Sequence, residues 1–99
     1  MNTNTTATAT TPKAYNFAIK IWGACWDGQG IWLDFATEEE ARFALRGEIY
    51  SFLRSTSEYA PAKRTIDFIV RGKKVLTRIS LDRVNHTYTI REEPDYGWD

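Results

Sequence analysis

The chain has one cysteine, Cys25, and one histidine, His86, among its 99 residues. One cysteine excludes an internal disulfide, and so cysteine-poor a small chain reads as cytoplasmic. One cysteine and one histidine are also too few for the usual zinc sites, so no metal is expected. Long apolar runs are missing as well. The longest uncharged apolar-rich stretch, Ala14 to Ile19, falls far short of the ~20 residues that cross a bilayer, so no membrane partner is expected. Met1 to Thr11 lacks both a basic residue and an apolar core, which speaks against a secretory signal. No glycine-rich phosphate loop, HExxH or GxSxG sequence occurs, so the sequence calls for no cofactor.

What remains is the composition of a small globular domain: 42% hydrophobic, 14% aromatic and 26% charged residues. That apolar share can offset the entropy of ordering one domain. Thirteen basic and thirteen acidic side chains balance, but not locally. Residues 1–60 carry a net charge of −2, residues 61–91 carry +6 and residues 92–99 carry −4. The Thr/Asn-rich residues 1–13 read as a disordered tail, residues 14–91 as a single domain and residues 92–99 as an acidic, aromatic tail.

Within the domain, Tyr15, Phe17, Ile19 and Ile21 alternate with more polar neighbours, as do Ile31, Leu33 and Phe35, the period of half-buried strands. Trp26-Asp27-Gly28 between them signals a hairpin. Pairing Ile21 with Leu33 and Ile19 with Phe35 would set Lys20 opposite Asp34 and Trp22 opposite Trp32, a register favoured by both charge and aromatic contact. Thr37 and Glu40 have the spacing of a capping box, and Ala41, Leu45, Ile49 and Phe52 form one helical stripe running to about Ser55. Thr65 to Arg71 and Lys74 to Asp82 form a second hairpin about Gly72-Lys73, pairing Ile66 with Ile79 and Asp67 with Arg78. A last strand, about His86 to Arg91, points Tyr88 and Ile90 inward. The expected fold is therefore α+β: a mostly antiparallel sheet of about five strands in ββαβββ order, with one helix packed on one face.

Catalytic residues are not evident. His86 stands beside Asp82 and Arg83, and Cys25 has no predictable activating neighbour. Glu38, Glu39 and Glu40 point ~100° apart around a helix and cannot converge on one ion. A small enzyme is accordingly the third reading. The leading reading is a non-catalytic interaction domain, accessory or inhibitor-like, that binds a protein partner or a second copy of itself. The outward side of the sheet should carry Trp22, Trp32, Ile69 and Leu76, an apolar patch on a face that is normally polar. Tyr96 and Trp98 are the segment that would cover such a patch from within the chain. Phe43 and Tyr50 lie on the helix side away from the core stripe and extend the candidate partner-binding set. The alternative is a nucleic-acid-binding module in which Arg71, Lys73, Lys74, Arg78 and Arg83 contact phosphates and the tryptophans stack on bases.

Overall fold

The structure, a computed structural model, describes residues 14–23 and 30–95. The expected hairpin loop at Trp26-Asp27-Gly28, Cys25, the N-terminal tail, and Tyr96 and Trp98 lie outside the described residues. The elements follow in the order β1 (Phe17–Ile21), β2 (Ile31–Phe35), α1 (Glu38–Leu53), β3 (Lys63–Val70), β4 (Val75–Asp82) and β5 (Thr87–Pro94). The fold is α+β. The strands form one antiparallel sheet in the order β2-β1-β3-β4-β5. β3 inserts against β1 on the side away from β2, so β2 and β3 run in the same direction with β1 between them and α1 connecting them.

The helix starts where its sequence says it should. Thr37 accepts from the Glu40 backbone N–H at 3.2 Å, and the Glu40 carboxylate accepts from the Thr37 backbone N–H at 3.2 Å. Two of the four orphan donors of the first turn are thereby satisfied. Ala41, Leu45 and Phe52 are buried against Ile19, Ile21, Ile66, Phe68, Ile79 and Leu81, with Phe17, Leu33, Phe35 and Ile49 packed around them. Each large side chain buried this way contributes about 1.5–3 kcal/mol. Strand parity agrees with the alternating pattern: odd residues of β1 and β2, and even residues of β3, face the helix.

Register agrees in one hairpin and differs in the other. Ile66 faces Ile79 and Asp67 faces Arg78, as expected. In the first pair, however, Ile19 faces Leu33 and Lys20 faces Trp32, a shift of two residues from the expected pairing. Trp22 is therefore not opposite Trp32, nor Lys20 opposite Asp34. The reason is the second neighbour of β1. Lys20 stands opposite Asp67 of β3 with its ammonium against the Trp22 ring, and Asp34 pairs with Arg71 at 2.7 Å, so each charge has a neighbour that a two-strand argument ignores. Gly30 accommodates this arrangement. A Cβ there would lie 2.7 Å from Cε of Lys20 and 3.2 Å from the Ile21 carbonyl oxygen.

Two further details differ from expectation. The β3–β4 turn has its hydrogen bond from the Lys73 N–H to the Val70 carbonyl at 3.1 Å, with Gly72 at φ 93°. Gly72 is thus the third residue of the turn, the position that demands positive φ in a type II turn, and not the first of a two-residue loop. The last strand continues through Pro94, so residues 92–94 belong to the sheet and not to a tail.

Candidate functional site

The outer sheet face, opposite the helix, holds the residues singled out by sequence, but in a different arrangement. Ile69 and Leu76 are each only 3% exposed, buried with Ala18 and with Trp32 packed against them. They form a small second core, and the expectation that they lie on an open apolar patch is corrected. Of the four expected patch residues only Trp22 is exposed; Trp32 is half-buried.

The same face carries a transverse row. The pairings Trp32–Lys20, Lys20–Asp67, Asp67–Arg78 and Arg78–Arg91 run straight across all five strands. Asp67 is its centre, 1% exposed. It accepts from Arg78 Nε at 2.7 Å, from Arg78 Nη2 at 2.9 Å and from Trp22 Nε1 at 2.7 Å. A buried carboxylate needs this many donors to offset its lost hydration. The hydrogen bond to Asp67 holds the Arg78 guanidinium above its ordinary pKa. The Lys20 ammonium sits 3.5 Å from the centre of the Trp22 ring and 5.1 Å from that of Trp32, a cation–π arrangement. Arg91 pairs with Glu93 and approaches the Ser80 hydroxyl at 3.4 Å. The polar groups of this face are therefore largely satisfied within the chain.

The basic residues behave alike. Arg71 binds Asp34 and donates to the Tyr15 carbonyl at 2.7 Å, and Arg78 is held by Asp67. Arg83 donates to the carbonyls of Pro61 at 3.0 Å and Ala60 at 2.9 Å, pinning the connection after the helix. Lys73 and Lys74 alone of the five are exposed. The structure thus does not bring the five together as a single exposed cationic surface.

The other candidates lie elsewhere. Phe43 and Tyr50 are exposed on the helix side away from the core, as expected. Arg54 donates to the Tyr50 hydroxyl and lies over its ring at 4.7 Å. His86 is exposed and has φ 55°, closing the turn that Asp82 organises. Asp82 accepts from the Asn85 side chain at 2.8 Å and its backbone N–H at 3.1 Å, and these bonds, the side-chain bond first, lower its pKa. Among the described residues no three of the His, Cys, Asp and Glu side chains group as a metal site would require, and no helix is long and apolar enough to cross a membrane.

A further open apolar surface, on the last strand, was not expected from sequence. Tyr88 and Ile90 do point to the helix side of β5, but the buried stripe of α1 packs on Ile19, Ile21, Ile66, Phe68, Ile79 and Leu81, which belong to β1, β3 and β4. They remain 52% and 60% exposed, so their expected place in the core is corrected. They extend the row of Leu81 and Ile79, their partners on β4, out from under the helix. A signal was available: Pro94, which has no N–H to donate, marks an edge strand. The fold and this surface together define a small α+β domain in which, among the described residues, no further strand pairs with β5. Comparison with protein families, curated proteins and solved structures gave no match.

Proposed function

We propose that this chain is a small non-catalytic protein-interaction module, accessory or inhibitor-like, that engages its partner through β5. The carrying observation is the exposure of Tyr88 and Ile90 beside an eight-residue edge strand. Edge strands present unpaired N–H and C=O groups that template another chain, and natural proteins commonly blunt them. Strand addition draws affinity from the main chain and specificity from alternate side chains, and β5 supplies both. The opposite edge, β2, has five residues against eight in β5, so it is the shorter template. The self-satisfied outer face lends less support to the nucleic-acid reading, because the Lys20 ammonium already lies against the Trp22 ring.

A photoreactive side chain at position 90 tests the reading. Irradiation in the native host is expected to give a protein adduct from position 90 and none from position 46, on the exposed helix face. No adduct from positions 88 and 90, in the host or with the pure protein at high concentration, overturns it.

A further inference from the structure

The partner chemistry that β5 fits best is its own, and we propose that a second copy of this chain pairs β5 against β5 in antiparallel fashion about a two-fold axis, with Thr89 on that axis. The proposal rests on the interaction reading above and adds the occupant and the register.

Backbone phase comes first. The Asp95 N–H donates to the Lys74 carbonyl at 2.7 Å. Hydrogen-bonded pairs alternate along an antiparallel ladder, so the odd residues of β5 bond to β4. Tyr88, Ile90 and Glu92 therefore direct their N–H and C=O groups outward, while Pro94 offers only a carbonyl there. A two-fold axis normal to the sheet pairs even residues with even residues, which is the phase that outward groups on even positions require. Both partners keep their helices on one side of the joined sheet.

Side chains then select the register. An axis through Arg91 sets arginine against arginine, and an axis through Glu92 or Glu93 sets glutamate against glutamate, each unfavourable. An axis through Ile90 sets Tyr88 against Glu92 and spends one outward position on Pro94, opposite the left-handed His86. An axis through Tyr88 leaves Ile90 opposite His86. An axis through Thr89 places Tyr88 opposite Ile90 twice, an aromatic/β-branched pair on the helix side. On the outer side it places Thr89 opposite Thr89 and Thr87 opposite Arg91. No like charges meet, and the two Tyr88–Ile90 pairs exchange four backbone hydrogen bonds. The apolar layer of Ile79 and Leu81, which ends uncovered at β5, continues into the second copy.

One strand pair is a small interface, so dissociation in the range of about 1–100 µM is expected. Sedimentation equilibrium from low micromolar to submillimolar concentration should show the mass rising from 11.4 kDa toward twice that value. Ile90→Lys should weaken association at least tenfold while circular dichroism stays unchanged, since the side chain is exposed. In a Cys25→Ser background, Thr89→Cys should form a disulfide-linked dimer under mild oxidation, because facing residues of a non-hydrogen-bonded pair lie close enough to bridge. Thr87→Cys alone should not, but mixed with Arg91→Cys it should. A monomer at every concentration overturns the proposal; an adduct from position 90 to a different protein would then leave the interaction reading standing. A dimer indifferent to Ile90→Lys and without the Thr89→Cys bridge overturns the β5 assignment.

Discussion

Arg78 holds Asp67 in a two-pronged bond, Nε to Oδ1 at 2.7 Å and Nη2 to Oδ2 at 2.9 Å, on the sheet face that the helix does not cover. The indole of Trp22 donates to the same carboxylate. One buried acid thus ties the end of β1 to β3 and β4 and sets the direction of the Trp22 ring, against which Lys20 rests.

Asp67→Ala removes the acceptor and leaves two donors without it. Arg78 keeps partial access to water, so the cost should be about 2–3 kcal/mol, below that of a fully buried broken pair. Urea unfolding followed by tryptophan fluorescence measures it. A change under ~0.5 kcal/mol would show that the row contributes nothing to stability.

Leu76→Ala separates a second core from an open patch. A surface position tolerates such a change within ~0.5 kcal/mol, whereas truncating a buried leucine costs about 2–5 kcal/mol. The small cluster around Leu76 predicts the lower part of that range, read as a fall in the urea midpoint at constant slope.

Thr37→Ala removes one half of the capping box. A loss of about 1 kcal/mol is expected, with faster amide exchange confined to the first turn of α1. Uniform exchange throughout α1 would instead mean that the cap is dispensable.

The Asp82–Asn85 turn gives a pH dependence. The folded carboxyl is more acidic than the unfolded one, so its contribution is complete above the unfolded carboxylate range and disappears as pH falls through the folded value. Melting temperature should therefore drop on acidification below about pH 4, and Asn85→Ala should flatten part of that drop. An identical acid profile in the variant would remove Asp82 as a contributor.

Base stacking is testable directly. With the Lys20 ammonium against the Trp22 ring and Arg71, Arg78 and Arg83 engaged inside the chain, a single-stranded oligonucleotide at low salt should leave the indole resonances of Trp22 and Trp32 in place. Salt-dependent shifts there, together with shifts at Lys73 and Lys74, would favour the nucleic-acid alternative.

Much of this protein is decided locally. Period-two alternation tells which side of each strand is apolar, and the Thr37–Glu40 spacing starts the helix; both depend on residues a few positions apart. The Asp67–Arg78 pair is legible for the same reason, since β3 and β4 are consecutive and closely joined. The tertiary structure decided what depends on distant neighbours. Inserting β3 beside β1 set Lys20 opposite Asp67 and brought Arg71 to Asp34, with the first hairpin two residues from the register its own two strands suggest. The same arrangement closed Ala18, Ile69 and Leu76 into a second core. Placing the helix over the sheet from β2 to β4 left Tyr88 and Ile90 bare at the far edge. Side-chain parity follows from the backbone pleat within one strand, whereas burial depends on which elements come to lie above and beside it.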